Sequence, residues 1–274
     1  KYCDKQNLIQ VINFLFCSFI ILFVVELLKS GISFQSLGQV FQSNIATESN
    51  YDTESGVSLI MGFYYLFYLS RKKYKLALLA AFITILGAKR IAIFGILICT
   101  LIYFFYPHRG WLKNKKVSAL IFLCVGIIIA IFWDGIITGG FNRIIESYTG
   151  LSANRFFMGR LGRFQLVFNE INKLPIFGMG YGLGYMENIL YYKVSFASAF
   201  HGDFYRIYLE FGAILFAFWL YITGKFSSKN KLALTSSILL ILLMQTDNAF
   251  LYNRVMFSYY LIFAFAYLKE EKKQ

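Results

Sequence analysis

Nine cations, Lys89, Arg90, Arg143, Arg155, Arg160, Arg163, Lys173, Lys193 and Arg206, lie in or beside two polar stretches between long apolar runs. Arginine's planar fork meets an anion bidentately and keeps its charge, so such a set suits binding an anion and stabilising negative charge as it develops on a leaving group. Arg90 and Arg160 are the candidates for that clamp. Arg163 follows Arg160 by three residues, which on a helix places it on the same face, in reserve. The sequence also offers one base. His201 precedes Gly202 and Asp203, where a helix is expected to begin with Asp203 as its N-cap. The positive end of that helix disfavours imidazolium, so a neutral His201 is a candidate general base. A plainer reading makes His201 a hydrogen-bonding residue at an interface and Asp203 a cap only. Arg206 and Glu210 stand i,i+4 and can simply pair.

A glycine-rich stretch lies just upstream, running from Gly178 through Gly180 and Gly182 to Gly184. It is not a dinucleotide fingerprint, because Leu183 and Tyr185 occupy the places where the last glycine would be required. Backbone brought close to a ligand is the preferred reading, and a flexible turn the alternative. Lys89, Arg163, Gly178, Gly180, Asp203 and Arg206 therefore form the substrate-binding set around the catalytic candidates His201, Arg90 and Arg160. Tyr181, Tyr185, Tyr191, Tyr192 and Phe196 read first as an interfacial aromatic belt, with packing against sugar rings as the alternative. No metal-ligand spacing and no catalytic carboxylate pair is evident, so no cofactor is expected.

The elements that position these residues are set by composition. Hydrophobic residues make up 58%, charged residues 15%, and the mean hydropathy is +0.58, well away from a soluble balance. The expected fold class is all-α, a polytopic integral membrane protein of about eight transmembrane helices with one large outer loop. Spans are expected near residues 8–28, 56–70, 76–87, 91–106, 117–137, 204–223, 232–245 and 249–268. The whole chain 1–274 reads as a single membrane domain, with residues 138–204 as the large extracytoplasmic loop. Because the chain opens on Lys1 rather than Met, further helices are expected upstream.

Residues 76–106 raise the question of one crossing or two. A single helix would put the run Arg71 to Lys75 and the run His108 to Lys116 on opposite sides, against the positive-inside bias. Two crossings, turning at Gly87-Ala88-Lys89-Arg90, place both runs inside together with Lys1, Lys5, Lys225, Lys229, Lys231, Lys269, Lys272 and Lys273. The first outer loop, residues 31–55, holds Glu48, Asp52 and Glu54 and no Lys or Arg. Both termini are thus expected in the cytoplasm.

The net charge of +13 is explained by those inner loops facing anionic lipid. Nucleic acid is not an expected partner, since the basic residues alternate with spans rather than clustering on one face. Cys3, Cys17, Cys99 and Cys124 form neither a disulfide framework nor a zinc pattern. Glu26 reads as the one carboxylate well inside a span, and no broken helix or internal repeat of the transporter kind is visible. His108, in an inner loop, is assigned no function.

The order of GAKR at 87–90, GRLGRF at 159–164, PIFGMGYG at 175–182 and HGDFYRIYLEFG at 201–212 resembles the bacterial O-antigen polymerase and O-antigen ligase superfamily. That family carries a serine-arginine at an outer turn, an arginine four residues before a tryptophan, P-x-x-G-x-G, and a histidine opening the next helix. Lys89-Arg90 matches the first with Lys for Ser, and Arg160 to Phe164 the second with Phe for Trp. Pro175, Gly178 and Gly180 match the third, and His201 the fourth. Ligases show His-[Asn/Ser/Gln], nine residues, then Gly and, three further on, Gly/Thr/Tyr; this chain keeps His201 and Gly212 but has Gly202 and Leu215 at the variable sites, departures that favour a polymerase over a ligase.

The resemblance, which covers about residues 55–268, implies a GT-C-like membrane glycosyltransferase without a metal. It would polymerise undecaprenyl-diphosphate-linked oligosaccharide repeats at the outer face of a bacterial plasma membrane, with inversion. Donor and acceptor repeats, the bilayer, and assembly proteins such as a chain-length regulator and a flippase are the implied partners. Arg90 and Arg160 would meet the diphosphate leaving group, and His201 would take the proton of the attacking sugar hydroxyl. O-antigen ligase-type transfer and a lipid-linked sugar transporter are the alternatives.

Overall fold

A computed structural model describes residues 4–29, 56–87, 89–105, 114–156, 160–171 and 202–268. Among these the regular structure is entirely helical. In chain order the helices are α1 (Lys5–Lys29), α2 (Val57–Ser70), α3 (Tyr74–Leu86), α4 (Arg90–Phe105), α5 (Lys115–Ile137), α6 (Asn142–Thr149), α7 (Ala153–Phe156), α8 (Arg160–Ile171), α9 (Asp203–Ser227), α10 (Lys231–Leu243) and α11 (Asn253–Tyr267). Helix is the form that satisfies every backbone group within an apolar run. By length and composition α1, α5 and α9 can each cross a membrane, and α2, α3, α4 and α10 are shorter apolar helices. The molecule is thus a helical protein built for a membrane. At 13 to 16 residues the shorter helices rise about 20–24 Å, less than the roughly 30 Å of hydrocarbon.

The helices group into two compact units, one of Lys1–His108, Lys229–Leu243 and Tyr252–Gln274, the other of Arg109–Ser228 and Met244–Leu251. In the first, α2 is the central element: almost every residue from Val57 to Leu69 is buried, because α1, α3, α4, α10 and α11 all pack on it. Contacts fix the directions. Ser58 at the start of α2 donates to the Thr84 carbonyl near the end of α3, at 2.8 Å, so α2 and α3 are antiparallel. Tyr65 and Thr100 share a hydrogen bond of 2.7 Å, and Gly62 faces Ile96, so α2 and α4 run parallel. The chain therefore reverses at residues 87–90, as the charge argument requires. Close approach is secured by small residues: a Cβ on Gly95 would lie 2.6 Å from Leu239 of α10, and one on Gly62 3.0 Å from the same side chain, the small-residue packing of apolar helices.

Four of the cations expected on the inner side, Lys5, Arg71, Lys229 and Lys231, share one end of this unit. Lys5 lies 4.9 Å from the centre of the Phe265 ring, Arg71 lies over Phe67 and Phe265, Lys229 over Tyr267 and Lys231 over Tyr103.

In the second unit α5 and α9 run antiparallel. Ser118 donates to the Gly224 carbonyl at 2.9 Å, and a Cβ on Gly224 would meet the Ala119 Cα and Ser118 carbonyl at 2.8 Å. At the other end Trp133 of α5 faces Tyr205 of α9. Three features depart from the sequence expectation. The segment read as a loop carries α6, α7 and α8 among its described residues. α9 is broken at Gly212, which holds φ 77°, ψ 175°, a conformation essentially closed to residues with a Cβ. Finally, α10 ends at Leu243 and α11 begins at Asn253, so residues 244–252 form a connection where a turn of three was expected.

Candidate functional site

The start of α9 is where the second unit concentrates polar chemistry. Trp133, Phe164 of α8 and Tyr205 form an aromatic group with ring centres 5.1 Å (Trp133–Phe164), 6.1 Å (Phe164–Tyr205) and 6.4 Å (Trp133–Tyr205) apart. The Trp133 indole N–H donates to Gln245 Oε1 at 3.0 Å, and the Gln165 amide of α8 donates to the Ile137 carbonyl at 3.2 Å. These contacts fix α8 and residues 244–251 around the first turn of α9.

Gly202 sits at the centre of that arrangement. It holds φ 156°, and a Cβ there would lie 2.8 Å from the Phe164 ring. The expectation that Asp203 caps the helix is corrected. Gly202 occupies the cap position, without a side-chain cap bond, and the 244–247 turn supplies the acceptors instead. The Asp203 N–H donates to the Asp247 carbonyl at 3.4 Å and the Phe204 N–H to the Met244 carbonyl at 3.1 Å. As the first helical residue, Asp203 turns its carboxylate elsewhere: one oxygen accepts from the Phe250 N–H, the other lies 3.2 Å from Arg206 Nη2.

Arg206 in turn places Nε 3.8 Å from Glu210 Oε2, and all three side chains are completely buried. The expected Arg206–Glu210 pair is thus a buried triad with two carboxylates on one guanidinium, and the positive end of α9 favours the Asp203 charge. Expected among the substrate-binding cations, Arg206 instead has its guanidinium enclosed between carboxylates of its own helix. The reading of Glu26 as the one carboxylate well inside a span is corrected as well, because Glu210 in α9 and Asp134 in α5 also lie inside apolar helices. Asp134 is half-buried and its Oδ1 has no hydrogen-bond partner.

The other candidates divide between the units. Lys89 precedes α4 and Arg90 is its first residue, exposed, in the first unit. The turn that carries them is held by Gly87, where a Cβ would lie 2.7 Å from Ser58. Arg160 opens α8 and Arg163 follows one turn later, in the second unit. Leu161 and Phe164 form the buried edge of α8, and the Gly162 N–H donates to Asn154 Oδ1 of α7 at 3.1 Å. His201, Gly178 and Gly180 lie outside the described residues. Gly202 and Asp203, which follow His201, are fixed against α8 and the 244–251 segment.

Sequence reasoning missed Trp133, Gln245, Asp247 and Phe250. The signal for the last three was the polar break Gln245-Thr246-Asp247-Asn248 between two apolar runs; Trp133 gave none. No family model matches the chain, and no curated protein or solved structure matches it.

Proposed function

We propose that this chain is a membrane glycosyltransferase that polymerises undecaprenyl-diphosphate-linked oligosaccharide repeats, a member of the O-antigen polymerase and ligase superfamily. The observation that carries the reading is the packing of Phe164 against Gly202. It joins two motifs some forty residues apart in sequence: the helix that begins with Arg160 and carries Arg163, and the residue next to His201. Cations for a leaving diphosphate and a base for an incoming hydroxyl belong side by side in one-step inverting transfer. The resemblance also assigns Arg90, the first residue of α4, to a diphosphate.

The decisive experiment supplies purified protein in lipid with a lipid-linked repeat and no ion gradient, and looks for a product ladder. In that assay Arg90→Lys and Arg160→Lys keep the charge and lose the fork. Each is expected to lower polymer yield at least about tenfold, the value of one charge-assisted hydrogen bond, with unchanged thermal stability. Full yield in both variants removes the clamp.

A second reading, a lipid-linked sugar transporter, is favoured by one observation: α9 is broken at Gly212 below a buried charged triad, a combination found at transporter binding sites. It predicts gradient-dependent movement of the lipid-linked sugar and no ladder.

The proposed arrangement, eight crossings in a bacterial plasma membrane with both termini cytoplasmic, is tested by single cysteines in a background lacking Cys3, Cys17, Cys99 and Cys124. Tyr148, on α6, is 88% exposed, and Lys75 and Lys229 are exposed at the basic end of the first unit. Tyr148→Cys is expected to react with an impermeant thiol reagent in intact cells, and Lys75→Cys and Lys229→Cys only after permeabilisation. The reverse pattern inverts the orientation.

A further inference from the structure

The basic end of the first unit contains a cavity of about 250 Å³ that sugar transfer does not use, lined by residues of α1, α2, α4, α10 and α11 and by Asn230. Lys5, Tyr103, Asn230, Lys231 and Leu232 are among its walls, and no carboxylate is among the described residues that line it. The Lys231 ammonium lies 5.0 Å from the centre of the Tyr103 ring and that of Lys5 4.9 Å from Phe265. The Tyr103 ring face holds the Lys231 cation in place without neutralising it. Lys231 has no ion-pair partner among the described residues.

Helix α10 begins in the same wall. Asn230 is its cap: Oδ1 accepts from the Ala233 N–H at 2.9 Å while the side-chain amide donates to the Ala266 carbonyl at 2.6 Å. The Leu234 N–H bonds to the Asn230 carbonyl. The N–H groups of Lys231 and Leu232 have no acceptor within the helix and mark its positive end, at two residues that line the cavity. Beside it, Arg71 lies over the Phe265 ring with Nη1 buried and without a hydrogen-bond partner.

We propose that this cavity binds the phosphate of an anionic phospholipid headgroup, held by Lys5, Lys231 and the first N–H groups of α10. The chemistry of the wall calls for a phosphate. A lipid is favoured over a soluble phosphate because Leu101, Phe104 and Phe105, beside Tyr103 on the last turn of α4, are 51%, 59% and 73% exposed. They offer an apolar surface for acyl chains next to the polar cavity, and basic pockets between membrane helices are suited to such headgroups. This inference rests on the membrane character of the chain and is independent of glycosyl transfer.

The test titrates the purified full chain, in a neutral detergent, with phosphatidylglycerol, phosphatidylcholine or inorganic phosphate, and follows bound lipid by native mass spectrometry alongside the thermal midpoint. Phosphatidylglycerol is expected to bind and to raise the midpoint. The double variant Lys5→Gln/Lys231→Gln is expected to bind it at least about tenfold more weakly. Lys75→Gln, an exposed lysine of α3 outside the cavity, is expected to leave binding unchanged. Equal loss in Lys75→Gln would reduce the effect to diffuse attraction and overturn the site. Equal binding of phosphatidylcholine overturns the need for a net negative headgroup, and equal affinity for inorganic phosphate overturns the lipid as occupant. Should the double variant not fold, Lys231→Glu is expected to lose the lipid and Lys231→Arg to keep it; retention by Lys231→Glu overturns the proposal.

Discussion

Arg206→Met is expected to unfold the second unit or bring it close to unfolding. The substitution leaves the Asp203 and Glu210 carboxylates completely buried without their shared cation, and stranding one member of a buried ion pair costs about 3–5 kcal/mol. That is a large part of the roughly 5–15 kcal/mol that holds a domain together. The effect separates from simple loss of volume through a rescue. Asp203→Asn/Arg206→Met/Glu210→Gln removes all three charges together and retains an oxygen to accept from the Phe250 N–H, so most of the lost stability is expected to return. Thermal unfolding and limited proteolysis of the purified variants in mild detergent read both. Wild-type stability in Arg206→Met, or no recovery in the triple variant, would show that the triad is not a coupled ionic unit.

The triad also marks the boundary of what the sequence makes legible. Spacing alone placed Arg206 beside Glu210, since i,i+4 neighbours meet on any helix. It could not tell a solvated pair from a buried one, because burial depends on α5, α8 and residues 244–251, which are distant in sequence. The helices themselves were legible because apolar runs must satisfy their backbone internally. The reversal at residues 87–90 was legible for a different reason, the bias of cations toward one side. Gly212 was not. A glycine within a helix costs only about 1 kcal/mol, so one glycine between Phe211 and Ala213 reads the same whether the helix continues or breaks. Nor was the role of residues 244–251, since the first N–H groups of α9 were expected to find the Asp203 side chain and instead find carbonyls from after α10. For the candidate site, the sequence offers Arg90, Arg160 and His201 as candidates by residue type and order. What the structure adds is Phe164 seated against Gly202 and the enclosure of Arg206.

His201→Ala is expected to lower polymer formation by about 10²–10⁴, the usual contribution of a general base, while leaving donor binding close to wild type. In the proposed reaction the anomeric carbon passes to a sugar hydroxyl of the acceptor, its bond to the diphosphate oxygen breaks, and the hydroxyl proton goes to neutral imidazole. Binding of the donor depends on the cations that meet its diphosphate, so removing the base spares it. The neighbouring backbone limits indirect effects of the substitution. Gly202 is fixed by Phe164 and the first turn of α9 by the 244–247 carbonyls, so shortening the preceding side chain is not expected to shift either. Donor affinity and polymer yield are to be measured on the same purified variant at neutral pH. Wild-type yield would dismiss the base, and parallel loss of binding and yield would make His201 a binding residue. A transporter has no reason to separate the two quantities, so the predicted split would also count against that reading of the broken helix.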